Sequence, residues 1–377
     1  MAEQYDVAIV GAGIVGLANA WAACRRGNRV ILFERDHRAI GASIRNFGMI
    51  YPIGQPLGIQ STVARQSRKL WLEVAEESGI WLNQCGSLHL AHHDDEWEVL
   101  KEFIPVAAND GLHLELLTPE ETVRRSPAVN PDGLRGALWS EHEMGVNPAE
   151  AISSIPLWLE ETFGLKTCFD TTISKCDENL LVASDGRSWE ANKTVICSGA
   201  DTRTLYPHLL AESQLNHCKL QMMRTKPQST PWLLGPHIAG GLTLRHYPVF
   251  SVCKSQKLVQ QRVTENNPEL NQYGIHVLAA QLPTGEVILG DSHEYGDELH
   301  PFEQSHIEEL ILRELHKIIR LPTWRIGERW HGIYTRSVDG IPYVAAPSHN
   351  TRIMTGMGGS GMTSAFGIAE QLWTEWH

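Results

Sequence analysis

The sequence has few positive charges and no long apolar run. Lysine and arginine number 32 against 44 aspartates and glutamates, which gives a formal net charge of -12. Nucleic acid or an anionic membrane surface would require a basic face, and a bilayer span needs roughly 18–20 consecutive apolar residues. We therefore expect neither nucleic acid nor membrane as a partner, and an anionic ligand would need a few local arginines.

Disulfide and metal-binding patterns are also absent. The seven cysteines are odd in number, include no Cys-x-x-Cys motif and lie mostly in apolar segments, which favours reduced, packed thiols. His92 and His93 form the nearest thing to a metal pair, but they precede an acidic helix start and are expected to be exposed. The N-terminal apolar run has no basic segment before it and turns directly into glycines. These features predict a cytoplasmic protein without a signal peptide and without a bound metal.

The length of 377 residues favours two domains. The N-terminal segment YDVAIVGAGIVGLANAWAACRRGNRVILFERD is typical of strand, glycine turn, helix and strand, with a buried strand at 7–10 and a helix at 14–26. A similar pattern, typical of nucleotide-binding domains, returns near residues 190–200 and at the C-terminus. The segments that lie between these regions consist of alternating short strands and helices. Further predicted elements are helices at 60–78, after Asp94 or Asp95, after a capping box at Thr118, at 147–164 and at 301–322, and strands at 219–225, 241–252, 275–282 and 286–290.

A glycine motif, Gly11-x-Gly13-x-x-Gly16, follows the first strand and opens the helix with Ile14 and Val15. Such glycines permit a tight turn, close approach of the backbone to a pyrophosphate and close helix packing. Glu34, followed by Arg35, ends the second strand, where a carboxylate can accept both ribose hydroxyls. The pattern predicts a dinucleotide without a 2'-phosphate, but it does not distinguish NAD from FAD.

Four stretches in the same order resemble the D-amino acid oxidase superfamily of flavoproteins, in the branch of glycine and sarcosine oxidases. They are VAIVGAGIVGLANAWAACRRGNRVILFER, GASIRNFGMI, TVICSGADT and GIPYVAAPSHNTRIMTGMGGSGMTSAFGIAEQL. The resemblance implies FAD and an α/β Rossmann-like domain of the glutathione-reductase type. This FAD-binding domain would comprise 1–84, 146–217 and 326–377, interleaved with an α+β substrate domain, built on an antiparallel sheet, from 85–145 and 218–325.

The same resemblance implies the contacts with FAD. Ser43, Arg45, Asn46, Phe47 and Gly48 would follow the ribityl chain and flavin ring, Ile173 the adenine, Ser198 and Gly199 the pyrophosphate, and Gly358, Gly359, Ser360, Gly361, Met362 and Thr363 the N1/O2 edge of the flavin. Plainer interpretations remain open, because Ser43 is also a suitable helix cap, Asn46 a turn residue, and the C-terminal glycines a turn into a helix.

A narrower resemblance concerns GASIRNFGMIYPIGQP, WLNQCGSLHLA, LLTPEE and GIYTRSVDGIPYV, which are similar to a subgroup of FAD-dependent oxidoreductases associated with phosphonate catabolism. It implies an oxidase for 2-aminoethylphosphonate or its N-methyl derivative: hydride transfer to flavin N5, hydrolysis of the imine to an aldehyde, and reoxidation by O2 to give H2O2. Glycine, sarcosine or D-amino acid oxidation, and a dehydrogenase with another electron acceptor, are the alternatives. An NAD-dependent dehydrogenase and a flavoprotein without turnover are more distant rivals.

Arg336 is the main candidate for holding the substrate's anionic group. In the glycine-oxidase pattern the carboxylate-binding arginine stands where this chain has Tyr334, and residues two apart on a strand face the same side. The alternative for Arg336 is an ion pair with Asp339. The residues expected to position the substrate's anion and amine are Arg336, Tyr334, Tyr247, His246 and Arg45.

Several other positions complete the sequence-based expectations. Arg224 and Arg245 are secondary candidates for anion binding, although together with Lys219 they are expected on a solvated strand face. Gly332 occupies the position where sarcosine oxidases attach the flavin through a cysteine, so the resemblance predicts non-covalent FAD. Lys254 is a candidate for a lysine near the flavin, with an exposed loop lysine as the alternative. The sequence does not indicate an oligomeric state.

Overall fold

The computed structural model describes residues 3–376, and within this range strands and helices alternate along most of the chain. The strands are Glu3–Val10 (β1), Val30–Phe33 (β2), Met49–Ile50 (β3), Leu82–Asn83 (β4), Ser87–Ala91 (β5), Leu114–Leu117 (β6), Gly136–Ser140 (β7), Met144–Val146 (β8), Lys166–Cys168 (β9), Ile173–Asp177 (β10), Leu180–Ala183 (β11), Ser188–Ile196 (β12), Leu215–Thr225 (β13), His237–Ala239 (β14), Leu278–Gln281 (β15), Val287–Gly290 (β16), Glu294–Tyr295 (β17), Ile326–Ser337 (β18), Tyr343–Ser348 (β19) and Thr351–Thr355 (β20).

The helices are Ile14–Cys24 (α1), Ile59–Ser78 (α2), Asp94–Asn109 (α3), Pro119–Arg125 (α4), Pro148–Phe163 (α5), Pro207–Glu212 (α6), Thr243–His246 (α7), Gln256–Asn266 (α8), Glu269–Gln272 (α9), Ser305–Ile318 (α10) and Gly361–Glu375 (α11). Short 3-10 turns occur at Ala42–Ile44, Pro52–Gly54, Pro248–Val252 and Gly358–Ser360. Among residues 3–376, no helix is both long and apolar enough to cross a membrane.

The first sheet has the order β10-β11-β12-β1-β2-β9, with β20 beside β12 and β19 beside β20. Its centre is parallel: β1 pairs with β2 from Val7↔Val30 and with β12 from Glu3↔Trp189. Residues 7–9 of β1 and all four residues of β2 are buried, which is the pattern of a parallel sheet covered on both faces. The βαβ start predicted from the sequence is therefore confirmed.

Helices α1, α2, α5 and α11 pack together beside this sheet. Phe366 of α11 contacts Trp21 of α1 edge-on at 5.4 Å and Trp71 of α2 at 4.8 Å between ring centroids. A side chain at Gly367 would come within 2.4 Å of the Val63 carbonyl oxygen, so glycine allows α11 to lie close against α2. This core joins the two ends of the chain and fixes where α1 and α11 begin.

The second sheet runs β17-β13-β16-β15-β14-β5-β7-β6, with β18 alongside β13, and its pairings are antiparallel except that between β14 and β5. The second sheet expected from the sequence, mainly antiparallel, is therefore present. The sequence assigned 326–337 to the FAD-binding domain, but β18 pairs with β13 from Leu215↔Ser337 to Thr225↔Ile326. This segment therefore belongs to the second sheet, because it pairs with a strand that is distant in the sequence.

One predicted strand is wrong. Residues 241–252 form α7 and the 3-10 turn Pro248–Val252, in which Leu244, Val249 and Phe250 are buried. Pro248 has no N–H for a strand ladder and is favourable at the first turn of a helix. Helix boundaries agree more closely: α2 begins one residue before its predicted start, and Thr118 forms the predicted capping box with Glu121. The first residue before α3 is His93, so neither Asp94 nor Asp95 is its cap.

Candidate active site

One cavity of about 930 Å³ lies where the carboxyl ends of β1, β2, β12 and β20 meet the second sheet. Ligands of open parallel sheets bind at this edge. Its wall includes Val10 at the end of β1, Glu34 after β2, Cys197 after β12 and Thr355 at the end of β20. The cavity extends from this edge to side chains of β13, β18 and α7, so a cofactor and a second molecule can share it.

The first glycine loop forms part of the wall. A side chain at Gly11 would meet the Cys197 carbonyl oxygen at 2.3 Å, and one at Gly13 would meet Ser43 Oγ at 3.0 Å. Ser43 Oγ accepts a hydrogen bond of 2.9 Å from the Ile14 N–H, at the first turn of α1. Ser43 therefore caps this helix from a separate loop and also faces the cavity.

Glu34 lies at the end of β2, as the sequence predicts. One carboxylate oxygen accepts from the Ala12 N–H at 2.9 Å and the other from the Asp36 N–H at 3.3 Å. These bonds hold the carboxylate against the glycine loop at the cavity wall. Arg35 also lines the cavity and pairs with Asp201 at 2.9 Å.

The second glycine loop, Gly358–Ser360, leads into α11, whose first residue lies beside Ile14 at the start of α1. No side chain caps the start of either α1 or α11 from its own N-cap position. Helix N-termini carry partial positive charge and N–H groups that suit phosphate or an electron-rich ring. The close-packed glycines and two helix starts thus fit a dinucleotide with a ring system.

Nearly all predicted cofactor residues line this cavity. They are Gly11, Gly13, Ile14, Val15, Glu34, Arg35, Ser43, Arg45, Asn46, Phe47, Ile173, Ser198, Gly199 and 358–363. Gly16 and Gly48 do not: a side chain at Gly16 would lie 1.8 Å from the Gly11 oxygen, and one at Gly48 would lie 2.1 Å from the Val146 oxygen. Both glycines therefore permit close backbone packing behind the cavity.

Asn46 has a local structural role as well, whereas Lys254 lies outside the site. The Asn46 side-chain amide donates to the Ala42 and Ser43 carbonyls, and its oxygen accepts from the Gly48 N–H at 2.7 Å. The turn role left open for Asn46 is thus real, although the residue also faces the cavity. Lys254 is exposed and lies away from the cavity wall, so the flavin-adjacent role considered for it is wrong.

One end of the cavity, next to the second glycine loop, contains the five residues predicted to position a substrate, namely Arg336, Tyr334, Tyr247, His246 and Arg45. Arg336 does not form the alternative ion pair with Asp339 in the described part of the chain, because Asp339 instead accepts from Ser337 Oγ and from the Ile341 N–H. The guanidinium lies 5.3 Å over the ring of Tyr295. It is therefore available to an anion in the cavity.

Two other basic residues differ from the expected solvated strand face. Lys219 is fully buried, because β13 is covered by neighbours, and its amine donates to the carbonyls of His300 and Phe302 at 2.6 Å each. Arg245 is half-buried in α7, lines the cavity and donates to the Ile275 carbonyl at 2.6 Å. Arg224 is only partly exposed and pairs with Glu328 at 2.7 Å, outside the cavity.

Three further polar residues, His276, Asp291 and His293, join His246 at this end and were missed from the sequence. Strands β15 and β16 pair Leu278 with Gly290, which brings His276 beside Asp291 through backbone bonds in both directions. His276 Nδ1 lies 2.9 Å from Asp291 Oδ1. One sequence feature could have indicated them: these polar residues lie at the start of one predicted strand and just after the end of the next, and these two ends meet when the strands pair antiparallel.

The protonation of this end is set mainly by burial. Burial lowers the pKa of His246 well below its usual value and that of His293 to about 4, with nearby histidines and Arg336 lowering both further and Asp291 opposing the shift at His293. Burial also raises the pKa of Tyr334 and Tyr247. At neutral pH these phenols are hydrogen-bond donors, and the two imidazoles are uncharged.

A Rossmann-like sheet, with two glycine loops and two helix starts around one cavity, defines a dinucleotide-dependent enzyme. The family model DAO, described as FAD dependent oxidoreductase, matches residues 6–374. The chain belongs to this family. Its cofactor is accordingly FAD, and both the expected fold class and the FAD-dependent oxidoreductase class are confirmed.

Relatives agree with this family membership. The chain is 24% identical over 366 residues to glycine oxidase of Geobacillus kaustophilus (strain HTA426), covering 91% of this chain and 85% of the relative. It is 23% identical over 372 residues to glycine oxidase of Bacillus licheniformis, covering 95% and 88%. Among solved structures, L-proline dehydrogenase from P. horikoshii has a TM-score of 0.77 at 20% identity, covering 100% of this chain and 94% of that one.

Proposed function

We propose that the protein oxidises a small primary or secondary amine bearing an anionic group, with 2-aminoethylphosphonate or its N-methyl derivative as the leading substrate. The observation that carries the proposal is Arg336, a guanidinium free of any carboxylate partner in the described chain, which lines the same cavity as the cofactor loops and lies beside the second one. Planar guanidinium groups match tetrahedral oxyanions and carboxylates.

The cofactor end of the proposal follows the wall residues. Glu34 would hold the ribose of the adenosine half, Gly11–Val15 with Ser198 and Gly199 the pyrophosphate, and Arg45 to Phe47 with 358–363 the flavin half. FAD bound by these residues would supply a hydride acceptor for the carbon beside the amine nitrogen and a route for the electrons to dioxygen. The cofactor is non-covalent in this proposal, because Gly332 offers no side chain for attachment.

The substrate end orients the amine. Arg336 binds the anionic group, while the protonated hydroxyls of Tyr334 and Tyr247 donate hydrogen bonds in the cavity. Arg45 lies alongside and donates to the His331 carbonyl at 3.2 Å, which holds its side chain near β18. These groups would place the carbon that is oxidised and exclude water; hydrolysis of the resulting imine then gives an aldehyde.

The similarity to glycine oxidases supports a second candidate, in which the anion is a carboxylate next to the amine. The two substrates differ in the distance between nitrogen and anion and in anion charge. A single panel separates them: flavin reduction under anaerobic conditions with 2-aminoethylphosphonate, its N-methyl derivative, N-methylglycine, glycine and D-alanine. Reduction by the phosphonates at much lower concentration supports the proposal, whereas reduction only by the three carboxylates contradicts it.

The electron acceptor needs a separate measurement. The same panel repeated in air, with hydrogen peroxide measured, tests reoxidation by dioxygen. We expect stoichiometric peroxide for each amine oxidised. Rapid flavin reduction by an amine, followed by slow reoxidation in air, would instead indicate a dehydrogenase that uses another acceptor.

A further inference from the structure

We propose that His246, His276 and His293 form a binding site for a divalent cation, with Zn²⁺ as the ion of choice, at the substrate end of the cavity. Each histidine offers one ligand nitrogen, and these nitrogens all lie within 4.8 Å of one another. Imidazole is a favourable ligand for zinc, and three histidines leave one position of a tetrahedral ion open. All three residues line the cavity, so the open position would face the substrate.

Two of these histidines have a polar group next to one ring nitrogen, as histidines that bind a metal through the other nitrogen usually do. His276 Nδ1 lies 2.9 Å from Asp291 Oδ1 at an angle that does not make a hydrogen bond, and neither atom has a hydrogen-bond partner within residues 3–376. His293 Nδ1 lies 3.3 Å from the Gly274 carbonyl. Metal-binding histidines typically use one ring nitrogen in this way and present the other to the ion. His276 and His293 therefore have Nε2 available as a ligand atom.

Ring packing argues against three protonated histidines. The ring centroid of His246 lies 3.8 Å from that of His276 and 4.4 Å from that of His293. Three positive charges at such separations would repel strongly in a buried place, whereas neutral rings can donate lone pairs to one ion. The His246 and His276 rings lie at 32° to each other, so one of them must turn for both in-plane lone pairs to point at a shared ion.

The charge balance indicates what the open position would take. A divalent ion bound by three neutral imidazoles, with the single negative charge of Asp291 beside it, remains net positive, and Arg336 lines the same cavity. This combination suits an oxygen of a doubly negative group held between the ion and the guanidinium. This use of the open position rests on the proposed function, whereas the ion site itself does not.

The separation of the three ligands along the chain explains why the sequence analysis predicted no metal. His246 comes from α7, His276 precedes β15 and His293 follows β16, so they are far apart along the chain and show none of the short spacings of common zinc motifs. Only the pairing of β15 with β16 and the position of α7 bring them together. Zn²⁺ does not change its oxidation state, and its role here is to hold the substrate's anionic group.

The metal content of the FAD-loaded enzyme tests the site. The protein is prepared without a histidine tag, equilibrated with Zn²⁺, dialysed against metal-free buffer and measured by elemental analysis together with flavin absorbance. We expect about one zinc per chain, reduced to about one tenth or less in His276→Gln/His293→Gln with its flavin content retained. His208→Ala, which removes an exposed histidine on α6, is the control and should keep the metal.

A milder variant tests the supporting shell. Asp291→Asn keeps all three ligands but removes the carboxylate from His276, so zinc affinity should fall by about 10- to 100-fold while flavin content stays the same. Zinc absent from the parent enzyme, or equally retained by the double variant, overturns the site. An unchanged affinity in Asp291→Asn overturns the support assigned to that carboxylate.

Anion binding is tested on the same enzyme after a chelator has removed the metal. Anaerobic flavin reduction is followed with 2-aminoethylphosphonate and with ethylamine, which lacks the anion. We expect the apparent Kd for the phosphonate to rise about tenfold or more, to recover on adding Zn²⁺, and to change little for ethylamine. An unchanged Kd overturns the role of the open position, whereas absence of reduction by every amine contradicts the proposed function and leaves the metal content to decide the site.

Discussion

Replacing Arg336 by lysine should weaken the binding of an anionic amine and leave an amine without an anion almost unaffected. The guanidinium can donate two parallel N–H bonds to one oxyanion, whereas the lysine ammonium is a single compact charge. A hydrogen bond to a charged group contributes about 1.5–3 kcal/mol, which is roughly a 10- to 100-fold change in Kd. Because Arg336 is half-buried, solvent screening favours the lower end, about tenfold.

The assay is the concentration dependence of anaerobic flavin reduction, with 2-aminoethylphosphonate and ethylamine as the pair of substrates. Arg329→Lys is the matched control, since Arg329 lies on the same strand but makes its two bonds, of 2.6 and 2.7 Å, to Glu308 outside the cavity. The reasoning would be refuted by an equal loss of affinity for both substrates, or by a loss of thermal stability with no change in Kd. The latter would leave Arg336 as a structural partner of Tyr295.

Three further outcomes follow from other parts of the molecule. Gly16→Ala would place a methyl group 1.8 Å from the Gly11 oxygen, so we expect protein with little flavin and a lower Tm; a normal flavin-to-protein ratio would contradict this. Because Gly332 has no side chain to bond the cofactor, acid precipitation should release all flavin into the supernatant, and a washed pellet that stays yellow would show attachment. Burial lowers the pKa of His89 to about 3, below its unfolded value of about 6.5, so the unfolded chain binds the extra proton and stability falls as the pH drops from 6.5 towards 3. His89→Gln should reduce this slope by up to about 1.4 kcal/mol per pH unit, measured by urea unfolding between about pH 4 and 6; an unchanged slope would argue against the buried neutral ring.

The cofactor half of the site was largely predictable from sequence because its signals are local. A strand, a glycine turn and a helix follow one another within residues 3–24, and Glu34 ends the next strand. The second loop at 358–363 is equally compact. Glycines that pack against a carbonyl and glycines that face a ligand look alike in sequence, however, which is why Gly16 and Gly48 were placed in the cavity wall rather than behind it.

The substrate half depends on strand register and on burial, which no local pattern reports. Asp291 becomes a neighbour of His276 only after β15 and β16 pair. Lys219 was expected in solvent because alternation along β13 does not reveal that both faces of this strand are covered. The segment 241–252 has apolar residues at strand-like intervals, yet Pro248 and the contacts of Phe250 with Phe103 favour turns.

Strand β18 has a consequence for how substrate length can change within this architecture. Its backbone pairs with β13 through Cys218↔Tyr334 and Asn216↔Arg336, and this pairing does not depend on which side chains the two positions carry. Successive residues on one face of a strand are about 6.6 Å apart. The backbone pairing therefore fixes the spacing of the side chains along β18. Exchanging an arginine and a tyrosine between 334 and 336 would move the anion-binding group by that spacing without disturbing the sheet. Selection for a longer or shorter amine can proceed by moving one side chain to another position on a strand whose backbone stays in place.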